Sequence, residues 1–507
     1  MSDEKKALPP EGQAKPAQNP EKIVSVSSRE RMLLPLVFGF CLLTVNTLFD
    51  AGAGIGWAAA VAGWYVLLHV SRGPALWRTG ESRFLLAANL ALALLSLALG
   101  SSSYFRMWNT MALLLVLLPL HAVGLSSAGH LPWWRPAMLW ERLCLLLWGL
   151  FGHLWAAVAA LLPEKRDSSA RRILPAAAGI LGAAALLGIL VPVLASADAL
   201  FAAATADLRD FFTLHFTDAV WKAVVAAVMT PFFFGLLYSL SHPRPRSAEG
   251  SRAPRTVDGL GFAIVLGAAA ALYLLFLGVQ SAGLFGGAEY LAEKGLSYAE
   301  WARSGFFQMV RVTGINLALL LSAVQRSRRQ GAAWRAVRFL SALLTAESLV
   351  LLVSAAWRMT LYVDAYGLSF KRFLTYWGMG MMAAFLLAAA WKVHRPDFRF
   401  CRVVFPLALA GWLVINCVPV DYLVAKDQVD RYLAGKSESL SVEYLVSLSY
   451  DTLGPLSRLS GQTVWSDYGG FQNIDDILEK QRADARADCA DWRTWSLSAW
   501  LAGRGGT

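Results

Sequence analysis

Apolar runs long enough to cross a bilayer constrain this chain more than any other feature. A helix rises about 1.5 Å per residue, so roughly 20 apolar residues cover a ~30 Å hydrocarbon core. Runs of that kind occupy residues 32–49, 53–70, 84–100, 108–127, 173–195, 218–240, 259–280, 305–325, 339–357, 373–391 and 403–419. One more, Leu143–Leu162, is equally apolar. Composition agrees: 56% of residues are hydrophobic and 16% charged, against about 25% charged in a soluble domain. Surface-to-volume scaling leaves a soluble fold of this size nowhere to hide so much apolar surface. The expected class is all-α, a polytopic membrane helix bundle of about eleven spans with a small helical extracytoplasmic C-terminal segment.

Loop charge decides between eleven spans and twelve. Cytoplasmic loops of membrane proteins carry an excess of Lys and Arg. With Leu143–Leu162 kept from spanning, residues 1–31, 71–83, 128–172, 241–257, 326–338 and 392–402 share one side and hold 28 of the 46 Lys and Arg. The opposite loops hold seven: Arg106, Arg209, Lys294, Arg303, Arg358, Lys371 and Arg372. A spanning Leu143–Leu162 would move the Arg-rich loops around Arg244, Arg328 and Arg399 outside. The reading is therefore N-terminus cytoplasmic and C-terminus extracytoplasmic. Residues 133–163 become an interfacial or re-entrant helix, whose Trp133, Trp134, Trp140 and Trp148 suit headgroup depth.

The domain boundaries follow. Residues 1–31 are polar and rich in Pro, Lys and Glu, a disordered cytoplasmic tail without a cleavable signal. Residues 32–419 form the membrane domain, and 420–507 a C-terminal tail with nine basic and thirteen acidic residues. The tail stripe of Val442, Leu445, Val446 and Leu448–Leu453 is expected to pack on the membrane domain, because so few large apolar side chains make a poor independent core. Trp492, Trp495 and Trp500 predict an aromatic surface helix that touches either bilayer or protein.

Ionisable residues inside spans are the first functional flags, since an unpaired charge there is expensive. Glu347 lies near the middle of its span and Arg311 about two turns into another. They form a candidate intramembrane pair, read either as a proton or ion relay or as a buried structural pair, with Gln308 on the face of Arg311. The outer loops hold a denser set: Asp198, Gln280, Tyr298, Arg303, Arg358, Tyr362, Asp364 and Tyr366. Singly these suit helix caps and belt aromatics. Jointly they outline a candidate outer-face site.

Familiar chemistry is missing. The sequence has no P-loop, no HExxH and no Gly-x-Ser-x-Gly elbow, and its five scattered cysteines make neither a zinc site nor a disulfide framework. Asp50 stands where some polyprenyl-sugar glycosyltransferases keep a catalytic acid, but the loop after it is too short for their first outer loop. No cofactor or metal is expected. The net charge of +11 sits between apolar runs and reports orientation in the membrane, not a nucleic-acid partner.

Four stretches carry a resemblance: Leu194–Phe201 with its Ser-Ala-Asp, the Leu-Phe-Gly-Gly ending at Gly287, Tyr298–Phe307, and Arg358-Met-x-x-Tyr362 leading to Tyr366-Gly-Leu. Beyond the last span, Pro419-x-Asp421 to Arg431-Tyr432 and Val442–Leu456 continue it, with Gln428 where an Asn is usual. The chain resembles the bacterial multi-pass families called domain of unknown function 4153 and its relative 4173, over about residues 170–460. The resemblance implies a bacterial membrane protein and assigns no reaction. Two function classes remain: a non-enzymatic sensor, assembly or regulatory component of the envelope, and a transporter or lipid/cell-envelope enzyme with a site in the outer half. The partners expected are the lipid bilayer and a membrane protein; no ligand is indicated.

Overall fold

The computed structural model describes residues 26–48, 54–95, 100, 102–126, 137–161, 218–242, 257–285, 306–465 and 470–505. Asp198, Tyr298 and Arg303, and the run 173–195, lie outside them. Among the described residues seven helices are long and apolar enough to cross a membrane: Ser28–Thr47, Met138–Leu161, Trp221–Ser241, Gly259–Val279, Gly331–Tyr366, Phe370–His394 and Phe400–Cys417.

The N-terminal half begins with α1 (Ser28–Arg31), set by a capping box between Ser27 and Glu30. Then come α2 (Leu33–Leu48), α3 (Ile55–Arg72), α4 (Ala75–Arg78) and α5 (Gly80–Ala93). A broken helix follows as α6 (Ser103–Ala112), a π turn over Leu113–Leu117, and α7 (Leu118–Gly124). Next are α8 (Ala137–Gly152), α9 (Leu154–Leu161) and α10 (Asp218–Ser241). Their shared core includes Val37, Cys41, Leu68, Leu92, Ala122 and Leu237, each 2% exposed or less.

The second half packs α11 (Gly259–Phe285), α12 (Phe306–Arg326), α13 (Gly331–Tyr366), α14 (Phe370–His394) and α15 (Phe400–Cys417). At 36 residues α13 is about 54 Å long. It therefore overruns a ~30 Å hydrocarbon core at both ends. Hydropathy trims this helix at Arg335, Arg338 and Arg358, but the backbone continues because none of these residues breaks a helix.

Successive helices alternate in direction, so their ends gather at two levels. At the level of α1, Arg29 donates to the Val70 carbonyl (3.4 Å), Arg72 to that of Leu125 (3.0 Å), and Glu30 meets His242 (3.3 Å). Val257 bridges Ser327 there, and Arg329 pairs with Asp397 (2.6 Å). Both ends of Met138–Leu161 also pack at this level. Arg142, 3% exposed, pairs with Glu81 and donates to the Leu120 carbonyl (3.1 Å), while α9 packs against α1.

The opposite level carries the C-terminal tail. It comprises α16 (Val420–Leu433), α17 (Val442–Leu448), a 3-10 turn (Tyr450–Thr452), α18 (Leu453–Ser457), a ribbon of β1 (Thr463–Trp465) against β2 (Phe471–Asn473), α19 (Ile474–Ala490) and α20 (Leu497–Gly503). The all-α expectation misses this antiparallel ribbon. The stripe residues Val442, Leu445, Leu448 and Leu453 are buried in one core with Phe105, Phe370 and Ile415 of the helical bundle. Phe370 stacks on Tyr104 at 4.7 Å.

The aromatic end of the tail is not the surface helix expected over Trp492–Trp500. Residues 491–496 run as a turn across the N-terminus of α3, and helix resumes only at Leu497. The Trp495 carbonyl accepts from Ile55 N–H (2.9 Å) and the Arg493 carbonyl from Gly56 N–H (3.2 Å). The tail thus satisfies helix N–H groups that would otherwise be orphaned.

Candidate functional site

The turn joining α13 to α14 brings together several residues of the expected outer-face set. Tyr362 and Tyr366 sit one turn apart, ring centroids 5.0 Å from each other. The Arg372 guanidinium lies 4.2 Å over the Tyr362 ring, a cation–π contact, and donates to the carbonyls of Tyr366 (3.0 Å) and Gly367. Gly367 holds φ at 75°, which glycine adopts without strain. A Cβ there would also meet the Gln428 amide nitrogen at 2.9 Å.

Helix α16 clamps this turn. Asp427 accepts from Leu368 N–H (2.6 Å), Gln428 donates to the Leu368 carbonyl (2.7 Å), and Arg431 donates to the Asp364 carbonyl (2.7 Å). Tyr444 accepts from Phe370 N–H (2.9 Å). Gln428, placed where the resembling families carry Asn, therefore does a positioning job. Arg358 is 5% exposed and engaged inside the bundle, while the Asp364 side chain is exposed. Gln280 lies in α11, with its side chain outside the described set.

Beside the clamp is a buried group that sequence reading used only as a family marker. Asp421 opens α16 at 2% exposure, and neither carboxylate oxygen has a hydrogen-bond partner. Burial pushes its carboxyl above the usual aspartate range; the nearby Ser449 and Ser102 hydroxyls offset part of the shift, and Asp451 adds to it. A raised folded-state value means that the folded chain binds this proton more tightly than the unfolded chain. This stabilisation is fully present below the unfolded value and is lost as pH rises through the folded one. Asp421→Asn should therefore stabilise the protein at pH 7 by on the order of 1 kcal/mol. The gain should shrink as pH falls toward about 4, where the unfolded carboxyl also protonates. Chemical denaturation of both forms in detergent at pH 7 and pH 4.5 checks this, and an equal difference at the two pH values would refute it.

The intramembrane pair is not brought together. Arg311 and Gln308 are exposed on one face of α12, while Glu347 is 3% exposed in α13, and no ion pair joins Arg311 to Glu347. Asn316, on the inner face of α12, donates to the Ser348 hydroxyl (3.0 Å). Tyr273 of α11 stands near Asn316 and Glu347. Both Glu347 carboxylate oxygens and the Asn316 amide oxygen lack partners. Three helices thus enclose an orphan acid among polar side chains.

A second buried network is fully assigned by its geometry. Asn89 donates to the Tyr65 hydroxyl (2.7 Å), which contacts His121 Nδ1 (2.9 Å). Ser82 contacts His121 Nε2 (2.8 Å) and donates to the Leu76 carbonyl (2.8 Å). Ser82, with its proton used on Leu76, must accept from Nε2–H. Nδ1 then accepts from Tyr65, which fixes a neutral imidazole tautomer. Apart from the Asn89 amide oxygen, which has no partner, the donors and acceptors of this chain match, and it glues α3, α5 and α7 together. A single His in an apolar run gave no sign of it in the sequence.

Comparison with known proteins adds the family and nothing finer. No curated protein and no solved structure matches the chain. The family model described as "Domain of unknown function (DUF4153)" matches residues 86–459. That range starts well before the stretch in which the resemblance is legible, and it takes in the clamp, Asp421, Glu347 and, of the His121 network, Asn89 and His121. With most of the chain covered and several helices able to cross a bilayer, this membrane protein belongs to the DUF4153 family.

Proposed function

We propose that the chain is a non-enzymatic component of the bacterial inner membrane, a sensor, assembly or regulatory subunit that presents its tail to a membrane-protein partner outside. The observation that carries this reading is the use made of the tail-end residues. Asp427, Gln428 and Arg431 hold the tail onto the α13–α14 turn that Tyr362 and Tyr366 flank, so the described part of that end is a covered platform. Cavities of about 720 and 210 Å³ lie at the α1 level instead.

The arrangement proposed has eleven spans, a cytoplasmic N-terminus, an extracytoplasmic C-terminus and Met138–Leu161 lying along the cytoplasmic face. Support comes from the packing of both ends of that segment at the α1 level. Arg29, Arg72, Arg142 and the basic residues around Arg329 and Arg395 all sit at this level, as the charge bias of cytoplasmic loops requires. Alkaline phosphatase, active only outside the cytoplasm, should be active when fused after Gly435 and inactive after Pro163. The reverse pattern would put Met138–Leu161 across the membrane and the tail inside, and the platform reading would fail.

A second reading, transport, is favoured by one observation: the orphan Glu347 carboxyl enclosed by α11, α12 and α13. Intramembrane acids without partners mark ion and proton pathways in transport proteins.

A further inference from the structure

We propose that the α1 end of the bundle holds one phospholipid with an anionic headgroup, in a site made of two adjoining cavities. The larger, about 720 Å³, opens between α2, α3 and α4, a size typical of small-molecule sites. Its walls are apolar: Met32 and Leu36 on one side, Val70 and Trp77 on the other. The chain turns at Gly73-Pro74 after α3, and this turn swings α4 round so that Trp77 closes the far wall. These four side chains are from 38% to 66% exposed, far above the residues behind them such as Val37 and Leu68 at 0%. Acyl carbon is what such walls would shield from headgroup water.

The smaller cavity, about 210 Å³, shares Arg29 and Leu33 with the larger. Its lining is polar where the first is apolar, with Ser27, Ser71 and Arg72 among its residues. One apolar and one polar compartment meeting at a guanidinium is the layout of an amphiphile with a phosphate at its junction. The charge balance selects an anionic headgroup. Arg29 stands at the junction and Arg72 lines the smaller cavity, while the one acid there, Glu30, already accepts from Ser27 and meets His242. A headgroup amine would find two cations and a compensated acid. This level is also where the basic residues concentrate, which places the site at headgroup depth. The inference needs this level to lie in the membrane interface. It does not depend on which way the tail faces, so it can fail independently of the proposed topology.

The test uses the full chain in nanodiscs and phospholipids brominated on the acyl chain, which quench nearby indoles. The Trp77 contribution is the quenching lost in Trp77→Phe. Brominated phosphatidylglycerol should quench Trp77 at a several-fold lower mole fraction than brominated phosphatidylcholine. Arg29→Gln should reduce that preference about fivefold, the factor equivalent to ~1 kcal/mol for one basic residue at the surface. Continued quenching of Trp77 by the phosphatidylcholine probe in Arg29→Gln shows that the groove is still formed. Equal quenching by both lipids in the wild type overturns the headgroup assignment. Absence of any Trp77-dependent quenching means that protein, not lipid, fills the groove, and it overturns the proposal outright.

Discussion

Valine in place of Gly54 should detach the end of the tail from the helix it caps. A Cβ at Gly54 would sit 2.5 Å from both the Arg493 carbonyl oxygen and the Thr494 carbonyl carbon. Both obstacles are backbone, so no side-chain rotation relieves them. Overpacking of this kind costs about 1–3 kcal/mol. Losing the bonds from Ile55 and Gly56 to the tail carbonyls adds on the order of 1 kcal/mol for each helix N–H left without a partner. Arg493 would also leave Asn46, whose amide oxygen it shares with Lys222. Limited proteolysis in detergent should cut residues 491–505 in Gly54→Val and spare them in the wild type. Equal protection of the two would show that the contact is dispensable.

Glu347→Leu should raise stability, by about 2 kcal/mol. Leucine is larger than glutamate by only about one methylene, and both carboxylate oxygens of Glu347 are buried without partners. A buried polar group left unsatisfied costs about 1–3 kcal/mol, more if it is charged. Replacing it with an apolar side chain of similar size recovers most of that cost. A thermal melt of the purified protein measures the sign directly. A loss of stability would mean that the carboxyl has a structural partner, and the transport reading would lose its support. A gain would show a group retained at the expense of the fold, which is how functional acids inside membranes behave.

How much of this was legible depended on which physical signal each element left in the sequence. The apolar runs were legible because a bilayer demands length and apolarity in the same stretch, and Phe370–His394 and Phe400–Cys417 appear within a few residues of where they were read. The tail stripe was legible because Val442, Leu445 and Leu448 recur at helical spacing. The ribbon at Thr463–Trp465 was not, since strands of three residues are too short for alternation to show. The turn at 491–496 was not, because its structure comes from bonds to Ile55 and Gly56, hundreds of residues away. At the candidate site, sequence picked out Tyr362 and Tyr366 by type and crowding, yet Arg372, which lies over their rings, and Asp427 and Gln428, which bond to Leu368, looked like ordinary loop and tail residues. Which run a residue belongs to can be read from the sequence. Which neighbouring helix it faces cannot, and that is why Arg311 and Glu347, both inside apolar runs, have different surroundings.

The contact between α3 and the tail fixes an order of assembly. The helix made early in synthesis is completed by residues made much later, as Arg493 and Asn46 are 447 positions apart. At roughly 5–20 residues per second the first helices wait about 20–90 s for the segment that caps them. During that interval the α3 N-terminus carries open N–H groups. A chain stalled or cut before residue 490 never closes them. Completion of the α3 N-terminus is therefore a long-range event, reached only once residues 491–496 have been made and folded back onto Ile55 and Gly56.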